Sequence, residues 1–229
     1  MTIEPIAYFK SPFSSKFGIP RQSGVVRELR GEIHFTEKYR RQEALKGIEG
    51  FDWLWLIWEF SANAKPSGDD WKATVRPPRL GGNTTMGVFA TRSPFRPNPL
   101  GLSCVRLEKV EFDSKNGPVI HVLGADLMDG TPIYDIKPYV TYADSHPDAR
   151  SGFVDANEWS PLEVFIPGSL HEELKKSLSE EEIESLKCVL AQDPRPHYQD
   201  NPDKVYGMPF HGLDIHFTID GRTVTVTGL

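Results

Sequence analysis

The sequence predicts a mainly β chain: a β domain over residues 1–144, then a small α+β domain over residues 145–229. Three observations predict it. Short apolar runs broken by Gly and Pro turns recur up to about Ala143, which favours a sandwich or a closed barrel. The polar, turn-rich stretch S-H-P-D-A-R-S-G follows and marks the boundary. Beyond it, leucine and isoleucine recur at helical spacing and give way to strict strand alternation.

Taken in order, Ile6–Phe9 is a short apolar run stopped by Ser11 and Pro12, as suits a first strand. A loop follows, with Pro20 and Gly24 bracketing Arg21 and Gln22. Gly31–Phe35 reads as a strand and Tyr39–Leu45 as a short helix. Phe51–Phe60 is almost continuously apolar and aromatic, which predicts a strand buried on both faces. Its tryptophans are read as core, not as a platform for bases. Leu102–Phe112 and Val119–Leu127 are two further strands, joined through Asp113, Ser114, Asn116 and Gly117 as a hairpin. Pro132–Lys137 is another extended piece. Gly168–Ser177 and Ser179–Gln192 are amphipathic helices, the second opened by the Ser179/Glu182 capping signature and stopped by Pro194. Leu213, Ile215, Phe217 and Ile219 alternate with polar residues, and Asp220-Gly221 turns into the strand Thr223–Thr227.

A net charge of −6 argues against a purely electrostatic coat for nucleic acid, which needs a basic face, but allows a local basic site. Cys104 and Cys188 lack CxxC spacing and read as reduced, packed thiols. The seven histidines show no metal-ligand spacing, so no metal site is expected. The first residues have no basic, apolar signal pattern, and W-L-W-L-I-W-E-F is too short to span a bilayer, so a cytoplasmic protein is expected. Dinucleotide, P-loop and nucleophile-elbow motifs are missing.

Two stretches carry candidate chemistry. From Arg76 to Leu107 there is no acidic residue, and Arg76, Arg79, Arg92 and Arg96 sit among prolines and glycines that stiffen the loop path. Arginines held this way are donors positioned for carboxylate or phosphate. Arg106, beside Glu108 and Lys109, reads instead as a solvated face. The second stretch, Ala125–Tyr139, sets Asp126, Asp129 and Asp135 around a D-G-T-P turn, with Lys137 and Tyr139 beyond. Turn aspartates often bond local amides, yet three carboxylates so close could orient a polar ligand or take up a proton.

At these residues the chain resembles the TsaA-like family, which includes the TrmO tRNA methyltransferases. The matching motifs are P-R-Q at Pro20–Gln22, V-R-P-P-R-L-G-G-N at Val75–Asn83, M-G-V-F-A-T-R-S-P-F-R-P-N-P-L-G-L-S at Met86–Ser103 and D-L-M-D-G-T-P-I-Y-D-I-K-P-Y at Asp126–Tyr139. V-L-A-Q-D-P-R-P at Val189–Pro196 looks like the C-terminal extension of the bacterial two-domain form. The resemblance implies an N-terminal β-barrel that works as a homodimer. It also implies S-adenosylmethionine as cofactor and threonylcarbamoyladenosine of threonine tRNA as the group methylated, on its exocyclic N6. By the same likeness the donor lies against Arg21, Gln22, Ser23, Ser61, Ala62, Arg92, Leu102, Ala125, Asp126, Leu127 and Met128. Relatives commonly end the aromatic strand in a His-polar pair; here Ser61-Ala62 stands there, so contact is expected through backbone. Asp126, Asp129 and Asp135 are the candidate proton acceptors, and the sequence does not choose among them. Arg76, Arg79, Arg96 and Lys137 are expected to face tRNA or the threonyl carboxylate. The C-terminal domain is expected to extend the tRNA surface. The rival readings are a non-catalytic module that binds modified tRNA or a nucleotide, and a small-molecule methyltransferase.

Overall fold

Alternation of side chains along each strand decides what faces inward in the first half of the chain. The computed structural model describes residues 2–63, 71–112, 115–156, 160–195 and 201–229. Its first half contains β1 (Ala7–Lys10), β2 (Arg30–Phe35), β3 (Trp53–Glu59), the short pair β4 (Thr74–Val75) and β5 (Met86–Gly87), then β6 (Leu100–Glu111), β7 (Val119–Leu123) and β8 (Pro132–Pro138). Six of these close a barrel in the order β1-β2-β7-β6-β3-β8, each neighbouring pair antiparallel. Phe9, Ile33, Leu54, Leu56, Val105, Ile120, Val122 and Ile133 fill it.

The aromatic strand departs from expectation. It is not buried on both faces: Leu54, Leu56 and Trp58 point into the barrel, while Trp53 is exposed and Trp55 and Ile57 are half-buried. β3 is a barrel wall, so its second face looks outward, where Trp55 lies against the ring of Tyr139. Tyr39–Leu45 is not a helix either but falls across two 3-10 turns, Glu37–Tyr39 and Gln42–Leu45. Only Leu45 of the second turn is buried, so no apolar stripe supports a longer helix. β7 stops at Leu123, short of the expected Leu127, because Gly124 takes a φ of 78° and turns the chain. Asp113 and Ser114 of the expected hairpin lie outside the described residues.

The second half runs through α1 (Thr141–Asp144), β9 (Glu163–Phe165), α2 (Gly168–Leu174), α3 (Glu180–Leu190), β10 (Tyr206–Phe210), β11 (Leu213–Asp220) and β12 (Thr223–Gly228). The sheet order is β10-β11-β12-β9. β9 and β10 carry no strong strand signal: β9 has three residues, and Y-G-M-P-F holds Gly207 and Pro209, which an edge strand tolerates. Ser179 caps α3 through the complete capping box with Glu182. Leu174, Leu178, Ile183, Leu186, Val189 and Leu190 pack on Met208, Phe210, Ile215, Phe217, Val224 and Val226.

This second core also takes in residues from the start of the chain. Phe13, Val26 and Leu29 are buried in it, with Phe17 and Ile19 packed alongside. The ring of Phe13 meets that of Phe210 edge-on at 5.6 Å, and the His211 amide donates to the Pro12 carbonyl at 2.9 Å. Arg30 on β2 pairs with both Glu108 on β6 and Glu181 on α3. The segment 11–29 is therefore a strap that leaves the barrel after β1, crosses the second core and returns into β2.

Trp58 and Gly101 are partners across β3 and β6, and a Cβ at position 101 would stand 2.2 Å from the indole ring. Gly101→Ala is expected to lower stability by about 1–3 kcal/mol through overpacking. Urea unfolding checks this, and a wild-type midpoint would contradict the packing described.

Candidate active site

Two glycine turns bring the strap against the barrel mouth. Gly24, with a φ of 76°, donates its amide to the Gly124 carbonyl at 2.8 Å, and the Gly124 amide donates to Leu29 at 2.8 Å. A Cβ on Gly124 would touch the Gly24 backbone at 3.5 Å, in a backbone conformation that side chains avoid. Next to this crossing, Ser23 accepts from the Cys104 amide at 3.2 Å through its hydroxyl. Its own amide donates to the Asp126 carboxylate.

Asp126 is the best-held carboxylate of the three candidates. Ser103, fully buried on β6, donates its hydroxyl to Asp126 Oδ1 at 2.5 Å and accepts from Trp58 Nε1 at 2.9 Å. The bare Cα of Gly101 is what lets the indole lie flat enough to reach Ser103. Burial pushes the Asp126 carboxyl above its ordinary range, and it outweighs the hydrogen bond from Ser103, the amides of Asp126 and Ser23, and the charge of Arg92. The carboxyl therefore holds a proton more tightly in the folded chain than in the unfolded one. Its contribution to stability is full below the ordinary value of 3.8 and is lost as pH rises through the raised folded value.

Arg92 acts on the Asp126 carboxyl by its charge, while Arg21 of the strap reaches the C-terminal unit. Arg92 donates to Gln22 Oε1, Gln22 Nε2 donates to the Arg21 carbonyl at 2.6 Å, and Arg21 Nη2 reaches the Asp193 carbonyl at 3.5 Å. The loop that carries Arg92 is knotted by short bonds: Thr91 Oγ1 to the Val88 carbonyl at 2.8 Å, the Ser93 amide to Thr91 Oγ1 at 3.3 Å and the Phe95 amide to Ser93 Oγ at 3.2 Å. Arg96 Nη1 contacts the Thr91 carbonyl of the same loop at 3.4 Å.

The other candidate residues are distributed less tightly. Asp129 accepts from the Ser11 amide at 3.1 Å and pairs with Lys10 at 3.6 Å, so it ties the D-G turn to the end of β1. Asp135 accepts from the Ile136 amide at 2.9 Å and pairs with Lys137 at 2.9 Å. Both carboxylates are engaged in local bonds. Ala125 and Leu127 bury their side chains in the barrel core, leaving backbone to face a ligand, while Met128 is half-buried. Ser61 and Ala62 are exposed just after Phe60, whose amide donates to Pro99 at 2.9 Å. Leu102 projects from β6 and Arg76 lies exposed after β4; the side chain of Arg79 lies outside the described residues.

Ser103, Trp58 and Gly101 carry the support for Asp126, yet sequence reasoning placed none of them in the site. The available signal was the G-L-S that closes the arginine-rich motif, since a hydroxyl on an inward strand position needs a partner. Tyr134 donates to Glu59 and is pushed up to about 12, first by burial and then by that carboxylate. That pair joins β8 to β3.

Comparison with known proteins defines the class. The model of the tRNA-methyltransferase O N-terminal domain matches residues 8–145, and that of the TrmO C-terminal domain matches residues 160–229. The chain belongs to the TrmO family of tRNA methyltransferases. It is 38% identical over 221 residues to the tRNA (adenine(37)-N6)-methyltransferase of Escherichia coli strain K12, covering 94% of this chain and 92% of that one. It is 41% identical over 223 residues to a putative S-adenosylmethionine-dependent methyltransferase, RcsF, of Pseudomonas aeruginosa, covering 94% and 91%. The crystal structure of TrmO from Pseudomonas aeruginosa superposes with a TM-score of 0.78 at 33% identity, over 100% of this chain and 97% of that one.

Carbon-detected NMR of the aspartate carboxyls is expected to show Asp126 titrating above the ordinary 3.8. Ser103→Ala removes a bond to the charged form and should move that titration further up. A shift downward would contradict the hydrogen-bond assignment.

Proposed function

We propose that this chain uses S-adenosylmethionine to methylate the exocyclic N6 amine of threonylcarbamoyladenosine beside the anticodon of threonine tRNA. The observation that carries the reading is Asp126, an enclosed carboxylate with a raised pKa, held by Ser103 and the Ser23 amide at the crossing of two backbone turns. The relative from Escherichia coli is named for adenine-37 N6 and that from Pseudomonas aeruginosa for S-adenosylmethionine, which supports acceptor and donor.

The residues around the crossing suit that donor by their chemistry. Arg21 and Arg92 offer guanidinium groups for its α-carboxylate, Leu102 and Met128 offer apolar surface, and Ser61–Ala62 and Ala125–Leu127 offer backbone. When bound, S-adenosylmethionine supplies a methyl group on a positively charged sulfur. The acceptor nitrogen belongs to a urea and is weakly nucleophilic. Asp126 would accept the proton of that nitrogen as it becomes methylated. Asp129 and Asp135, held in local bonds, position the turn and Lys137. Arg76, Arg79, Arg96 and Lys137 are the cations assigned to the threonyl carboxylate and the tRNA phosphates, and a local patch of this kind suffices on an acidic body.

The catalytic unit is the barrel of residues 1–144, with residues 145–229 as the appended unit. The barrel works as a homodimer. Phe89, Phe95 and Leu102 are 73, 60 and 58% exposed around the arginine loop, an apolar surface that a second copy would cover. The enzyme acts in the cytoplasm on its tRNA; among the described residues no helix is long and apolar enough to cross a membrane.

Methyl transfer from labelled S-adenosylmethionine to threonine tRNA, with and without its threonylcarbamoyl group, tests the reading by nucleoside mass spectrometry. Methylation confined to the modified tRNA is expected, and equal transfer to both would overturn the acceptor. Asp126→Asn is expected to lower kcat about 100-fold or more while the cofactor still binds. Retention of tRNA without any transfer, indifferent to the cofactor, would favour a non-catalytic module.

A further inference from the structure

The strap divides its side chains from its backbone in an uneven way. The buried side chains of Phe13, Val26 and Leu29 go to the second core, as do the partly buried Phe17 and Ile19; none of these five goes into the barrel core. Phe17 stacks on both Tyr206 and Phe217 at 6.4 Å, with interplanar angles of 12° and 18°. The next residue, Gly18, runs so close to β10 that a Cβ there would stand 2.1 Å from the Met208 sulfur. On the return, Ser185 of α3 donates to the Glu28 carbonyl at 3.3 Å. The barrel holds the same strap through polar contacts: Asp129 to Ser11 and to the Phe13 carbonyl, Gly24 to Gly124, Gly124 to the Leu29 carbonyl, Ser23 to Cys104 and Asp126, Gln22 to Arg92, and Lys16 to Asn63. Residues 20–24 are thus a short span flanked on both sides by side chains seated in the C-terminal unit, with its own polar contacts on the barrel mouth.

We propose that the C-terminal unit is the anchor of the donor loop: Phe17, gripped by Tyr206 and Phe217, holds residues 20–24 against Asp126 and Arg92. The affinity for the methyl donor is thereby set from the far end of the chain. This rests on the reading that Arg21, Gln22 and Ser23 contact S-adenosylmethionine. Phe17 acts as a positioning residue, since it touches the loop and not the reacting atoms. A loop that spends a tenth of its time in the competent form binds about tenfold more weakly, with no contact to the ligand changed.

The test compares wild type, Phe17→Ala and Phe17→Leu as full chains. Calorimetric titration with S-adenosylmethionine is expected to show binding weakened about tenfold in Phe17→Ala and largely restored in Phe17→Leu. In turnover, KM for the donor should rise while kcat at saturating donor stays near wild type. Amide exchange at residues 20–24, Gly24 above all, should quicken in Phe17→Ala while β3 and β6 stay protected. Donor affinity within twofold of wild type, or unchanged exchange at Gly24, overturns the proposal. Should Phe17→Ala not fold, Ile19→Ala, a smaller loss on the same core, carries both measurements with the same expectations. If wild type itself bound no S-adenosylmethionine, the donor reading would fail. Exchange at Gly24 would still decide the anchoring: quickened upholds it, unchanged overturns it.

Discussion

The indole of Trp58 lies across Gly101 and donates to Ser103 inside the barrel wall, and the site is built outward from that bond. An indole N–H buried without a partner would cost about 1–3 kcal/mol, so the ring orientation is fixed by need as well as by packing. Ser103, once it has accepted that bond, has its own proton to give, and Asp126 is where it goes. The carboxylate in turn collects the Ser23 amide and the field of Arg92. A core residue, a strand hydroxyl, a turn carboxylate and a loop from another part of the chain become one connected unit. Networks of this kind are stiff when every member is satisfied.

Charge is handled locally. The chain is acidic overall, with a net charge of −6, yet the stretch that reaches the barrel mouth carries arginines without a single acid. Its hydroxyl and amide bonds through Thr91 and Ser93 hold the loop in shape without using the guanidinium groups. That leaves Arg92 and Arg96 tethered by one contact each, to Gln22 and to the Thr91 carbonyl. Exposed pairs elsewhere, such as Arg30 with Glu108 and Glu181, sit in solvent and add little to stability.

Much of this was legible in the residues, and the failures have physical causes. The mainly β character, the C-terminal hairpin and the capped helix α3 follow from period, turn chemistry and capping, all local signals. Phe51–Phe60 misled because a barrel wall can carry aromatics on its outer face, where Trp55 meets Tyr139. Apolar content alone does not tell one buried face from two. Tyr39–Leu45 lacked an apolar stripe, and β10 was hidden by Gly207 and Pro209, which only an edge position accommodates. Sequence did not choose among Asp126, Asp129 and Asp135, because the bonds that distinguish their surroundings, Ser103 to Asp126 and Ser11 to Asp129, join residues far apart in the chain. The strap was invisible for a related reason. Phe13, Phe17, Ile19, Val26 and Leu29 follow no period, because their partners lie in strands nearly two hundred residues away.

That separation has a consequence for how the molecule is made. Synthesis runs from N- to C-terminus, and the last barrel strand ends at Pro138. Every strand pairing of the barrel can therefore form while the second sheet is still unsynthesised. Tyr206, Met208 and Phe217, against which Phe17 and Gly18 pack, are made well after the last barrel strand. Until then the strap has no apolar surface to settle on, and its aromatic side chains are open to solvent and to chaperones. Chain order thus lets the barrel form first, with the strap as a latch that waits for the second sheet.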